Sequence, residues 1–238
     1  SPPRPSSRAI PTNRSPARLA DLLKSDLLKG IPHGFSTREG GSAADLLADA
    51  PLILAKQVHS PDVAVVERPW DGDPPEVDAL VTAQSGLVLG IVTADCAPVL
   101  LADDETGVVG AAHAGWRGAQ AGVIGNTVAA MVDLGAERSR IVAAVGPCVA
   151  QVSYEVDAPF RAHFDAQDAR FFAPGREGHW QFDLPSYVAD RLRRAGVERV
   201  DVLGRDTYGE EDDFFSFRRA THRGQATGGR QISLIASG

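Results

Sequence analysis

Apolar residues in this chain gather into short runs more often than into long stripes. Residues 52–58, 63–67, 79–82, 87–93, 98–102 and 108–112 are rich in Val, Ile and Leu and are punctuated by Pro, Asp and Gly, so each is predicted as a strand of a buried sheet. The same pattern predicts strands over 141–145, 200–203, 214–217 and 232–235. Helical spacing is rarer. Leu19, Leu22, Leu23 and Leu27 share one face of a helix predicted over 17–28, with Gly30 as its stop. A longer helix is predicted over 118–134, ended by Gly135, and shorter ones over 158–163 and 186–195, the latter closed by Gly196. Strands that come in runs, without strict alternation with helices, predict an α+β fold in which mixed β-sheets are flanked by helices.

Length and composition narrow this picture. A chain of 238 residues makes one large domain or two small ones at roughly 100–200 residues per domain. No Pro/Gly/Ser linker divides its middle, so a single domain over 18–238 is expected. Residues 1–17 hold five prolines, three arginines and no acid, which reads as a disordered tail, an expression remnant or a basic leader. The net charge of −7 argues against nucleic-acid or anionic-membrane binding, because both partners would be repelled over most of the surface. No apolar run approaches the ~18 residues that a membrane helix requires, and no signal-peptide apolar region is visible at the start. Two cysteines, Cys96 and Cys148, exclude a disulfide framework and point to a reducing, cytoplasmic setting.

Candidate chemistry sits where predicted strands end. Three stretches each carry a metal-competent side chain there: Lys56-Gln57-Val58-His59, Thr93-Ala94-Asp95-Cys96 and His113-Ala114-Gly115-Trp116-Arg117-Gly118. Imidazole and thiolate suit zinc, and three protein ligands leave a fourth position open, as catalytic sites require. The spacings, 96 − 59 = 37 and 113 − 96 = 17 residues, are too long for a zinc finger or ribbon. Residue types alone therefore leave a second reading, in which Cys96 is a small buried hydrophobe and the histidines are merely hydrogen-bonded.

Other residues carry paired readings of the same kind. Arg38, in a glycine-ended polar turn, can hold a phosphate or carboxylate or stand solvated. Arg117, near a helix start, can meet an anion or form a salt bridge. Asp78 and Asp95 lie beside strand ends, each as a general acid/base or as an orienter of a histidine. Cys148 reads as structural. Phe214, Phe215 and Phe217 are expected in the core, with one aromatic face available to stack on a flat base. His33, His163, His179 and His222 have no patterned partner.

Taken together, the motifs ending in His59, Cys96 and Leu101, the stretch from Asp78 to Thr82, the run from His113 to Gly118, Gly146-Pro147-Cys148 with Tyr154-Glu155-Val156, and the run from Phe214 to Arg219 closely resemble the laccase-domain family. That family is also called multicopper polyphenol oxidase-like or purine nucleoside phosphorylase. The resemblance runs from about residue 31 to the C-terminus, in the family's order. It implies an α+β fold, zinc held by His59, Cys96 and His113 as the catalytic centre, and phosphorolysis of adenosine, guanosine, inosine and 5′-methylthioadenosine, with adenosine deaminase activity at the same site.

Purine nucleosides and inorganic phosphate would then be the partners, Arg38 and Arg117 the substrate-binding residues, and a monomer or small homo-oligomer the assembly. The rival readings are a copper-dependent polyphenol oxidase, a Cys-His hydrolase with Cys96 as nucleophile, and a peptidoglycan-editing factor. The sequence departs from the family in two places. The segment from Gly41 to His59 is short, 59 − 41 = 18 residues, and Asp206 stands where the family commonly has cysteine before a threonine.

Overall fold

The computed structural model describes residues 22–238. Within them the strands, in chain order, are β1 (His33–Phe35), β2 (Leu52–Ile53), β3 (Val63–Val65), β4 (Ala79–Thr82), β5 (Val88–Thr93), β6 (Ala97–Asp103), β7 (Val108–Ala114), β8 (Val142–Val145), β9 (Glu155–Asp157), β10 (Phe172–Pro174), β11 (His179–Phe182), β12 (Arg199–Val202) and β13 (Gln231–Ala236). The α-helices are α1 (Trp116–Ala121), α2 (Val123–Asp133), α3 (Ala158–Arg161), α4 (Leu184–Arg194) and α5 (Phe217–His222).

The strands form a six-stranded sheet in the order β12-β8-β6-β7-β4-β3, a four-stranded sheet β1-β13-β5-β2 and a small sheet β10-β11-β9. Parallel and antiparallel pairings are mixed, so the fold is α+β with mixed sheets flanked by helices.

Side-chain alternation explains the layering, because successive residues of a strand point to opposite faces. From the six-stranded sheet, Leu80, Leu100, Ala111 and Ala144 face one way and pack with Leu89, Ile91 and Ile235 of the four-stranded sheet. Val81, Val99, Leu101, Ala112 and Val145 face the other way, against Ile124, Val128 and Met131 of α2 and Tyr187, Val188 and Leu192 of α4. Both faces of the central strands are therefore buried, which is why β6 and β7 read as continuous apolar runs.

Several predicted elements take another form. The helix predicted over 118–134 is two helices, because Gly122 adopts φ 106°, a left-handed conformation that ends α1 and begins α2. The strand predicted over 214–217 is a turn running into α5: Ser216 Oγ accepts the N–H of Arg219 and caps the helix, while Phe214 anchors the turn in the core. Of the helix predicted over 17–28, residues 17–21 lie outside the described residues, as does the tail over 1–17. The remainder holds a single 3-10 turn, Asp26–Leu28, because Leu23 is tied to Phe35 in an isolated bridge.

The short segment after Gly41 is put to use. Ala43, Leu46, Leu47 and Ala50 cover Val88, Leu234 and Ala236 on the outer face of the four-stranded sheet.

Candidate metal centre

Strand register brings two of the three residues together. In the β6–β7 pair, Ala97 faces Ala114 and Pro98 faces His113, so Cys96, just before β6, emerges beside the end of β7 that carries His113. His59 arrives from the loop before β3, whose approach is set by Gln57. The Gln57 amide donates to the carbonyl of Val92 at 2.8 Å and its oxygen accepts the Val92 N–H at 2.9 Å, which docks the loop on the end of β5.

One ligand-capable atom from each of His59, Cys96 and His113 lies within 4.8 Å of the others. The Cys96 Sγ to His59 Nε2 distance is 3.8 Å, and the two imidazoles meet edge to face with centroids 4.7 Å apart. This is the only such group of three among the described residues.

Backbone conformation is constrained around the trio. Three non-glycine residues among those described have positive φ, and two are His59 at 63° and Asp95 at 87°. Such conformations concentrate where surrounding structure over-determines them, often at functional sites. Glycine is required beside them: a Cβ on Gly115 would stand 2.9 Å from Cys96 Sγ and 3.0 Å from His59 Cδ2. The absence of that one carbon leaves room for the thiol and the imidazole.

A single carboxylate organises both histidines. Asp78 is fully buried; its Oδ1 accepts from Nδ1 of His113 at 2.7 Å, and its Oδ2 accepts the N–H groups of Val58 and Ser60 at 3.0 and 2.6 Å. The bond to Nδ1 fixes the His113 tautomer and leaves Nε2 for a ligand. Burial works against the Asp78 charge, but these hydrogen bonds outweigh it and hold the carboxyl well below its usual range. Burial likewise opposes ionisation of Cys96, yet the hydrogen bonds and charges of His113 and His59 bring its thiol down to about 7. His113 is burdened by the same desolvation and raised overall by Asp78 and Cys96. Two nitrogens and an accessible thiolate form the donor set that zinc favours, and the gap at Gly115 and the Asp78 brace fit a bound ion of that kind.

The trio opens into a cavity of about 700 Å³, within the range of small-molecule sites. Its walls include Gln57, Val92 and Thr93 from the β5 side, Trp116 and Arg117 of α1, Tyr154, and Phe217, Arg218, Thr221 and His222 of α5. The Arg117 guanidinium lies over the Trp116 ring, 4.6 Å from its centroid, and has no carboxylate partner among the described residues. Arg218 donates to the Glu155 carbonyl at 2.7 Å.

Arg38 is placed elsewhere. It stacks 4.4 Å from the Phe215 centroid, donates to the Glu211 carbonyl at 2.7 Å and lines a separate cavity of about 70 Å³. Cys148 is buried, and desolvation pushes its thiol far up. Asp206 braces a loop, accepting from Ser153 Oγ at 2.6 Å and from the N–H groups of Ala150 and Tyr208.

Sequence reasoning missed Arg218 and His222 as cavity residues. The available signal was their i, i+4 spacing, hidden because the preceding phenylalanines suggested a strand.

Residues 36–237 match the family described as "Multi-copper polyphenol oxidoreductase laccase". A purine nucleoside phosphorylase of Streptomyces coelicolor is 44% identical over 183 residues, covering 75% of this chain and 74% of the relative. One from Deinococcus radiodurans is 39% identical, covering 79% and 84%. The crystal structure of YlmD from Geobacillus stearothermophilus superposes with a TM-score of 0.79 at 25% identity, covering 94% of this chain and 98% of that one.

Proposed function

Because this chain belongs to the multi-copper polyphenol oxidoreductase laccase family, we propose that it is a zinc-dependent purine nucleoside phosphorylase, with adenosine deamination as a second activity of the same cavity. Relatives that carry the phosphorylase name support the reading. The observation that carries it is the cavity itself: one space of about 700 Å³ holds the His-Cys-His trio, stackable aromatic rings and an arginine without a counter-ion.

In this reading His59, Cys96 and His113 would hold the ion, which would supply Lewis acidity to the cavity. The protein's own groups do the remaining work. Arg117, already poised over Trp116, binds inorganic phosphate. Tyr154 and Phe217 line the cavity and offer ring surface to a flat purine. Asp78 keeps His113 in one tautomer, and Gln57 keeps the His59 loop on β5. The enclosed walls orient phosphate and sugar for attack at the anomeric carbon and limit competing water.

Adenosine, guanosine, inosine and 5′-methylthioadenosine are the expected substrates. The purified, zinc-loaded protein should release free purine base from them only when phosphate is supplied, with an equimolar sugar 1-phosphate: ribose 1-phosphate from the first three and 5-methylthioribose 1-phosphate from 5′-methylthioadenosine. Base release that ignores phosphate, or none at all, overturns the reading.

Copper chemistry is the second reading, favoured by the family's description. An array of three or four coppers needs several more histidines than this site provides: His33, His163 and His179 do not line the cavity, and the trio is the only group of its kind among the described residues. Stoichiometric copper together with phenol oxidation would decide for it.

A further inference from the structure

Asp95 precedes Cys96 in the chain, yet its carboxylate bonds to neither histidine of the trio. Oδ1 accepts from Thr207 Oγ1 at 2.7 Å, and Oδ2 accepts the backbone N–H of Arg218, also at 2.7 Å. Its main-chain carbonyl accepts the N–H of Val149 at 3.0 Å. These three bonds hold the residue at φ 87°, a region that side-chain-bearing residues avoid unless they are held there.

The far ends of the bonds matter. Thr207 is fully buried. Arg218 lies in the first turn of α5, where a backbone N–H has no acceptor within the helix. Ser216 Oγ takes the next such group, from Arg219, at 3.1 Å, so α5 is capped twice, once from its own chain segment and once from the turn that presents Cys96. That helix forms the cavity wall with Phe217, Arg218, Thr221 and His222.

We infer that Asp95 is a positioning residue: its carboxylate fastens α5 to the Cys96 turn, so that one side chain sets both a substrate-facing wall and the place of the thiolate. A proton-transfer role suits it less, because both oxygens are already engaged as acceptors within the protein. The substrate part of the inference rests on the nucleoside reading above, whereas the fastening of α5 does not.

Two variants separate the roles. Asp95→Gly removes both acceptors and accommodates the left-handed backbone. Asp95→Asn keeps an oxygen for the Arg218 N–H and can donate its amide to the Thr207 hydroxyl. In Asp95→Gly, amide exchange in the first turn of α5 should quicken at least about tenfold, and the thiolate-to-metal absorption of the cobalt-substituted protein should shift or weaken. The KM for nucleoside should rise about tenfold while kcat changes by less than about threefold. Asp95→Asn should restore all three readouts.

Wild-type exchange and cobalt absorption in Asp95→Gly overturn the inference. So does an Asp95→Asn protein that has lost kcat while α5 stays protected, since that pattern marks a proton-transfer group. If Asp95→Gly does not fold, Thr207→Val, which deletes one of the two side-chain bonds, is read by the same exchange measurement. Exchange and absorption need no turnover, so a protein inactive on nucleosides refutes the phosphorylase and still decides the role of Asp95.

Discussion

At the scale of single residues, the candidate centre is marked by one carbon that is missing and by one arginine without a carboxylate partner among the described residues. Gly115 directly follows β7 beside Cys96, and an added Cβ would press on both Cys96 and His59, at 2.9 and 3.0 Å. Gly115→Ala should therefore lower metal affinity by roughly 10–100-fold, the range seen when the groups supporting metal ligands are disturbed. Chelator competition measures this, with far-ultraviolet circular dichroism unchanged; wild-type affinity in the variant would show that the three ligands do not need that gap. Arg117 makes the complementary case for charge. Its guanidinium stacks on Trp116 and is unpaired with any carboxylate among the described residues, so Arg117→Ala should raise the KM for phosphate by about tenfold or more. Bound metal and the melting temperature should stay as in wild type, and an unchanged phosphate KM would remove Arg117 from the binding site. The trio itself was legible because each member belongs to a distinctive motif at the end of a predicted strand, whereas Arg218 and His222 owe their place to a short helix that follows Phe214 and Phe215, a run that reads as a strand. Arg38 shows the opposite limit: a polar, glycine-ended turn looks like an anion site in sequence, but here the guanidinium is taken up by Phe215 and the Glu211 carbonyl.

At the scale of elements, legibility follows burial. Strands covered on both faces, such as β4, β6 and β7, are continuous apolar runs and were placed to within a residue or two. The sheet formed by β9, β10 and β11 was not foreseen, because strands of three or four residues with half-exposed side chains carry too little pattern to register. Gly122 misled in another way. A glycine inside helical spacing is tolerated at modest cost, and nothing in the local sequence shows that it will turn left-handed. The conformation supplies a test, since a Cβ at Gly122 would meet no atom within 4 Å, and only the φ of 106° opposes it. Gly122→Ala should thus destabilise the fold by about 1–2 kcal/mol through backbone strain alone. Denaturant unfolding with an unchanged slope would report it, and metal affinity should not move. A neutral or stabilising result would mean that the break between α1 and α2 is not fixed by Gly122.

At the scale of the whole molecule, the sandwich of two sheets backed by α2 and α4 is closed at one end by the candidate centre and tied elsewhere by buried charge. Asp103 terminates β6 with only 1% of its surface exposed. It accepts from Arg140 Nε and Nη2 at 3.1 and 2.9 Å, and from the N–H groups of Glu137 and Glu105 at 2.8 and 3.1 Å, which joins the turn after β6 to the segment leading into β8. Burial works against its charge, but the Arg140 hydrogen bond, the two N–H groups and the Arg140 charge prevail and bring the carboxyl from 3.8 down to about 2. A folded-state pKa below the unfolded one means that the unfolded chain binds the proton more readily. The contribution of Asp103 to stability is therefore fully present above about pH 4 and is lost as the pH falls through about 2. Asp103→Asn should cost about 2 kcal/mol near neutrality, where Arg140 loses its charged partner. The gap between variant and wild type should then narrow steadily below pH 4, because acid removes from the wild type the same charge that the substitution removes outright. Urea midpoints measured from pH 7 to pH 2 test this directly. A difference that stays constant across that range would show that Asp103 acts through shape and neutral hydrogen bonding, and that the charge of the pair adds nothing to the tie between the β6 turn and β8.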